Sequence, residues 1–534
     1  MFRKHHLVSY LVLILAACSA DKPSELDFNG TTELEISIDT VVVAKMEMLR
    51  LDALSAGVIT KDAKTKFPCT IKYGNEIFEA KIRFKGDWPD HLSGDKYSYR
   101  IELKEGAILG KRTFSVQNPS TRGYGQEWLI HKLFRHNQVL TTDYQFVPLR
   151  LNGKLLGIYA FEEHFQKELP LSQNRAESVI LKYDESLFWE CRTLELRGEV
   201  PGYFPLFVAA EVVPFSKKKS WGKKRLREDL KLGLNLMETY RSFNPNADQY
   251  LDLDKFAQFY AILTLSNSKH GMVWHNQRLY FNPKNKRLEP IGFDIYGNPE
   301  TRIDSCVVFN HVTTRNDRWP IVEVTRHYEQ FLFSNLAFRQ LYFEHLERIS
   351  NSKYLSSFFA NIYSEIDYIN GLFQKEYEEL TVDTSLLQTN AVLVRNGTNQ
   401  FKSWFDSESS KSTPDSTNYR PTMKDDVSKL IPVRVYQETS RKYIVENCSG
   451  KTITAVAYRV KKNNQIIEIS EVKSIGTNHW QRNRLTLTLP PKVKDVIFSL
   501  EGDTPLKAVS VTPWPAPKAL SFFDDKKAAQ LFTE

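Results

Sequence analysis

Residues 81–88 read Lys81-Ile82-Arg83-Phe84-Lys85-Gly86-Asp87-Trp88, and a second stretch follows as Lys96-Tyr97-Ser98-Tyr99-Arg100-Ile101. In an extended strand, alternate side chains share a face. That parity puts Arg83 with Lys85 on one strand. It puts Lys96 with Ser98 and Arg100 on the next, if that strand starts early. Paired basic strands beside a glycine suit a polyanion such as a triphosphate. The same charges also suit a plain solvated sheet face.

Working outward, the surrounding chain is β-rich. Residues 32–50 alternate (Leu34, Ile36, Ile38 against Glu33, Glu35, Ser37) and predict a strand. Cys69–Tyr73 and Ile77–Phe84 flank Gly74-Asn75, a hairpin signal, and Thr113–Val116 predicts another short strand. Gln126–His136 has helical spacing through Trp128, Leu129, Leu133 and Phe134. Phe146–Leu151, Asn152-Gly153 and Leu156–Phe161 make the clearest hairpin. Helical patterns occupy 225–265 and the aromatic-rich stretch 320–395, with a β-like pair, Arg278–Phe281 and Leu288–Phe293, between them. Residues 406–426 are polar and aperiodic, and six short strand patterns lie between Val433 and Leu500.

The third chemistry-bearing segment runs from His270 through Asn276 and Arg278 to Glu289-Pro290-Ile291-Gly292-Phe293-Asp294. A hairpin there brings Asn276 and Asp294 together as two oxygen ligands for magnesium, the rest coming from phosphate. The bland reading of Asp294 is a turn cap.

In this order the motifs R-x-K-G, K-x-S-x-R-I, the NG…G-x-Y…E hairpin, N-x-R-x-Y and E-P-I-G-x-D resemble the CotH kinase family, named for a spore coat protein. The resemblance spans about residues 60–300, with the helices to about 400 plausibly included. It implies an α+β, atypical protein-kinase-like fold of two lobes, a β-rich N-lobe and a helical C-lobe, that binds ATP and Mg²⁺ between them. No G-x-G-x-x-G occurs near the basic strands, as the family implies. Carried over, Lys96 matches the lysine expected to pair ATP phosphates, and Arg83 and Lys85 match the basic pair. Glu127 is either the carboxylate partner of Lys96 or a solvated helix residue. Glu163 matches an acidic residue near the hinge, and Asn276 and Asp294 match the metal ligands. One departure matters: the family places a catalytic aspartate upstream of the metal aspartate, but His270 stands 24 residues before Asp294. His270 is either the proton acceptor or a structural histidine. The resemblance therefore implies a kinase acting on Ser or Thr of an envelope protein. A pseudokinase-like surface binding protein, using the cleft and the C-terminal β module, is the alternative.

The N-terminus sets the expected compartment. A basic start, an apolar run from Leu7 to Ala17, and Leu15-Ala16-Ala17-Cys18 resemble a bacterial lipoprotein signal. The expectation is an exported protein anchored through acylated Cys18, at the outer membrane or cell surface rather than the inner membrane. The expected divisions are a signal at 1–17, a tether at 18–31, an N-lobe at 32–165 and a C-lobe at 166–405. A linker at 406–428, a β-sandwich module at 429–516 and a tail at 517–534 complete the chain.

Composition excludes little else. The 534 residues suit about two to four domains. The net charge of +8 is too mild at this length to argue for nucleic acid. The run Lys217-Lys218-Lys219-Ser220-Trp221-Gly222-Lys223-Lys224-Arg225-Leu226-Arg227 concentrates positive charge. It suits anionic lipid, an acidic substrate protein, an anionic glycan, or plain solvation. No CxxC pair occurs among the five cysteines, so no zinc site is expected and buried thiols are preferred over disulfides.

Overall fold

The computed structural model describes residues 26, 28, 30–198, 210–244, 246–296, 331–408, 433–447, 452–475, 483–500 and 503–518. The lipobox with Cys18, and most of the polar stretch 406–428, lie outside them.

The first eight strands are β1 (Leu34–Ser37), β2 (Phe67–Tyr73), β3 (Glu76–Phe84), β4 (Tyr99–Leu103), β5 (Thr113–Gln117), β6 (Leu140–Thr141), β7 (Tyr144–Leu151) and β8 (Lys154–Glu163). All but β6 close into a barrel, in the order β1-β2-β3-β4-β5-β8-β7. Alternation along each strand sends one set of side chains inward. Ile82, Phe84, Ile101, Phe114, Val116, Leu149, Tyr159 and Phe161 fill the interior. The β7–β8 turn is Asn152-Gly153, with φ of 46° and 81°, the left-handed pair that a tight hairpin needs.

The strand expected over 32–50 stops at Ser37, and helix α1 (Thr40–Ala56) follows. The Asp39 carboxylate accepts from Val41 N at 2.8 Å, capping the helix start. Ala44 to Arg50 are mostly strong helix formers, so the alternation that predicts a strand ends with Ile38. Helix α2 (Gly125–His136) leaves the barrel after β5 and buries Glu127, Trp128, Leu133 and Phe134.

A second sheet contains β9 (Ile180–Tyr183), β10 (Val212–Pro214), β11 (Arg278–Asn282) and β12 (Arg287–Gly292), in the order β10-β9-β11-β12-β6. Helices α3 (Glu168–Leu171), α4 (Ser186–Leu196), α5 (Lys217–Gly222), α6 (Lys224–Arg241) and α7 (Leu253–Leu265) accompany it. Helix α7 is buried on nearly every face and packs against α8 (Leu336–Ser350), where Thr264 Oγ1 meets Tyr342 OH at 2.9 Å. Helices α9 (Ser352–Gln374) and α10 (Ser385–Glu408) complete the helical region.

Strands β13 (Val433–Gln437), β14 (Lys442–Asn447), β15 (Ile453–Val460), β16 (Ile466–Ile475), β17 (Asn483–Thr488), β18 (Val493–Leu500) and β19 (Asp503–Thr512) form one seven-stranded ladder. Six of them match the sequence patterns, and β19 is additional. Tyr436 and Trp514 join the core of the helical region, and Thr512 Oγ1 donates to Glu211 Oε1 at 2.8 Å. Cys69 and Cys191 are buried free thiols, and burial pushes them up to about 12 and about 11. No helix among the described residues is long and apolar enough to cross a membrane.

Candidate functional site

The outer barrel face carries the polar residues that strand parity predicts. Register pairs Arg83 with Arg100, Arg100 with Ser115, Ser115 with Glu162, and Glu162 with Tyr144. One row of outward side chains thus crosses five adjacent strands. Lys85, just beyond β3, is buried beside this row, with Nζ 2.9 Å from Glu162 Oε2 and bonded to Gln117. Burial pulls the lysine's pKa down, and Glu162 opposes that pull.

A loop after β12 supplies Asp294. Its φ of 51° is left-handed, a conformation that Asp adopts more readily than most residues. Arg122, at the end of the short turn Pro119–Arg122, places NH2 2.6 Å from Asp294 Oδ1. The next residue, Gly123, has a φ of 60°, and a Cβ there would run into the Tyr296 ring. His270 Nδ1 donates to the Asp294 carbonyl at 3.0 Å and lies 3.5 Å from its carboxylate. Asn276 Nδ2 donates to the His270 carbonyl at 3.1 Å. Glu127 lies on the other side of the loop, accepting from Ile295 N at 3.2 Å and Tyr296 N at 2.7 Å. It also bonds His131 Nε2 at 3.1 Å.

These contacts set the charge states. Burial alone would raise the Asp294 carboxyl. The adjacent Arg122 guanidinium and His270 instead hold it well below the usual carboxylate range. Asp294 in turn raises His270, whose side chain is 45% exposed and open to solvent. Arg122 stays charged despite burial, because Asp294, Glu127 and Glu162 surround it.

A second basic group adjoins this one. Arg278 is buried with its guanidinium 5.1 Å from the Phe293 ring, 5.5 Å from Phe215 and 5.7 Å from Phe165. Its NH2 is 3.9 Å from Glu185 Oε1, which Lys182 Nζ approaches at 2.9 Å. Arg83 donates to the Phe84 carbonyl and Arg100 contacts His164, but among the described residues neither forms an ion pair with a carboxylate. Burial and the neighbouring Arg83 pull Arg100 down to about 9. A guanidinium keeps its proton in water, so the pull reflects the cost of burying this charge beside Arg83, which Glu162 partly offsets. Arg100 Nε, Arg278 Nε and Ser115 Oγ are buried without a hydrogen-bond partner.

Of the residues expected from sequence, Asn276, His270, Asp294 and Glu127 meet around one loop, and Arg83 and Lys85 lie on the facing barrel wall. Two others do not join them. Strand β4 begins at Tyr99, so Lys96 precedes it and the parity with Arg100 does not apply. Lys96 pairs with Glu376, near Tyr377 OH (3.0 Å) and the Ile158 carbonyl (3.2 Å). Ile158 is four residues from Glu162, about 13 Å along a strand. The expected Lys96–Glu127 pair is therefore replaced by Lys96–Glu376, and Glu127 holds the Asp294 loop instead. Glu163 turns to the other strand face, with Oε1 3.0 Å from Lys111 Nζ and Oε2 accepting from Asp143 N at 3.0 Å. Glu162 takes the outward place.

The family model for CotH kinase protein matches residues 82–406. The chain therefore belongs to the CotH kinase family. A search of curated proteins gives no match.

Proposed function

We propose that the junction between the barrel wall and the Asp294 loop binds a Mg²⁺–ATP complex and passes its terminal phosphoryl group to a Ser or Thr hydroxyl. Under this reading the barrel and the helical region are the two lobes of a kinase-like fold. The C-terminal strands are an accessory β-sandwich module. The protein is exported and anchored through acylated Cys18, at the outer membrane or cell surface, and its acceptor is an envelope protein.

The residues fit the cofactors. Asp294 is buried with Oδ1 held 2.6 Å from Arg122 NH2, so its second carboxylate oxygen would be the one to meet a cation, and Asn276 turns its amide nitrogen to His270, leaving the carbonyl oxygen as a donor atom for it. Two such oxygens, completed by phosphate and water, suit a hard divalent ion. When bound, the ion would neutralise developing phosphate charge. Lys85, Arg83, Arg100 and Arg278, which outnumber the carboxylates facing them, supply the complementary field for phosphate oxygens. Arg122 and Glu127 position the Asp294 loop. His270, solvent-reachable and beside Asp294, orients or deprotonates the acceptor hydroxyl. The observation that carries this reading is the cluster of guanidiniums beside the buried Asp294 carboxylate: Arg83 and Arg100, half-buried and with no carboxylate at ion-pair distance among the described residues, and Arg278 with Glu185 at 3.9 Å.

A binding-only pseudokinase has one observation in its favour. His270 stands where the family expects a carboxylate, and its Nδ1 is already used on the Asp294 carbonyl. Nucleotide binding and autophosphorylation by the mature protein, beside Asp294→Ala and His270→Ala, separate the two. Phosphate incorporation lost in both variants supports transfer. Binding without incorporation in the wild type leaves the pseudokinase.

A further inference from the structure

The basic run from Lys217 to Arg227 has a definite place in the fold. Edge strand β10 ends at Pro214, and Phe215 N donates to the Ile180 carbonyl at 3.1 Å. The Phe215 ring packs on Arg278 (5.5 Å), under Lys182 Nζ (5.6 Å), and beside His164 (5.6 Å). Helix α5 starts two residues later, at Lys217. The basic surface therefore begins where the arginine group around Arg278 ends.

Its charge is not balanced locally. Seven cations lie between Lys217 and Arg227, and they meet three carboxylates. Glu177 faces Lys219 at 2.7 Å, Arg225 at 3.7 Å and Lys223 at 3.9 Å. Asp229 faces Arg225 at 3.2 Å, and Asp184 faces Lys217 at 3.9 Å. Glu228, the next acid, is 3.4 Å from Lys231. Lys218 and Lys224 are exposed and, among the described residues, pair with no carboxylate. Arg227 lies over the Trp221 ring at 5.0 Å.

We propose that this surface recognises an acidic polypeptide segment next to the acceptor residue, so that the substrate class is an Asp- or Glu-rich protein. The inference rests on the kinase reading above. Excess cations at the edge of a site attract and orient an anionic chain before its reactive residue enters. Continuity with the Phe215–Arg278 wall favours a chain that threads toward Asp294 over a planar bilayer.

The test uses the full mature chain and three fluorescein-labelled twelve-residue peptides around a single Ser. One is rich in Asp and Glu, one has Asn and Gln in their places, and one is rich in Lys and Arg. Anisotropy, without nucleotide, reads binding alone. The acidic peptide is expected to bind at least tenfold tighter than the neutral one. That preference should weaken steeply with salt and vanish in Lys218→Glu/Lys223→Glu/Lys224→Glu, with ATP affinity unchanged. The milder triple Lys→Gln variant should lie between, which guards against a folding defect. Equal binding of acidic and neutral peptides overturns the proposal. So does a triple variant that keeps its peptide affinity but loses affinity for phosphatidylglycerol vesicles, which would assign the surface to lipid. Peptide binding without phosphate incorporation leaves docking intact and sinks the kinase reading. Incorporation with the same KM for acidic and neutral peptides does the reverse.

Discussion

Arginines cluster in two regions of this molecule, around the buried Arg241 and Arg434 in one and the buried Arg278 in the other, and their surroundings differ. Between α6 and the C-terminal sheet, Arg241 Nε donates to Glu238 Oε2 at 2.9 Å. Arg434 NH1 lies 3.4 Å from Glu446 Oε2, and Arg484 Nε donates to Glu446 Oε1 at 2.9 Å. Each cation there has a carboxylate. On the barrel wall Arg83 and Arg100 have none among the described residues, and Arg278 shares a distant Glu185 with Lys182. A buried charge without a partner costs stability, so a fold retains it where something else is gained. The first network fastens two parts of the chain. The second, under the proposed function, would hold a field ready for an incoming anion.

The largest expected effect breaks the fastening network. Glu446→Gln leaves Arg434 and Arg484 facing a neutral amide. It should lower stability by about 3–5 kcal/mol, the usual cost of stranding a buried charge. Chemical denaturation measures this, and ATP affinity of the folded fraction should not change. A near-neutral result would mean that the network is solvated and that the two regions do not differ.

Asp294→Asn probes the other region. Phosphoryl transfer should fall on the order of 10²–10³-fold, as when one preorganised electrostatic group is lost. Stability should fall less than in Glu446→Gln, because Arg122 still faces Glu127 and Glu162. Single-turnover incorporation and a melting curve read the two parts separately.

Arg100→Gln sharpens the contrast. Removing a charge buried beside Arg83 should leave the melting temperature unchanged or raised, while ATP affinity drops about tenfold, in line with the loss of a charged hydrogen bond. A clear loss of stability would show that the contact with His164 is structural and that the wall is not poised for an anion.

One side of this contrast, the basic barrel strands, was partly legible in the sequence; the Arg241–Glu238 and Arg434–Glu446 network was not, and the limits have physical causes. Strand parity grouped Arg83 with Lys85 on one strand and Arg100 with Ser98 on the next, register then paired Arg83 with Arg100, and the Asn152-Gly153 turn marked the hairpin. The same parity places Glu162, not Glu163, outward, since Tyr159 and Phe161 are inward and Glu163 follows their phase. The resemblance to the family favoured Glu163 over that simpler reading. Lys96 misled because the start of β4 cannot be read from a run in which Tyr97 and Tyr99 alternate equally well with either phase. Arg122 left no local signal. It sits in a one-turn connection, and only the packing of the Gly123 backbone against Tyr296 brings it to Asp294. Glu376 is 280 residues from Lys96, a tertiary pairing that no periodicity encodes.

The smallest effect concerns protons. Asp294 raises His270 above its ordinary value near 6.5. The attraction between the two therefore contributes stability fully below pH 6.5 and loses it as pH rises through the folded value. On the acid side Asp294 is held well below the carboxylate range, so its own contribution persists until strongly acid pH. An NMR titration of the His270 ring should give a midpoint above 6.5 in the wild type. In Asp294→Asn it should move down, because the carboxylate that raises it is gone and the Arg122 cation that lowers it remains. A His270 midpoint that ignores the substitution would separate the ring from the carboxylate, and would remove His270 from the group that Arg122 and Asp294 define.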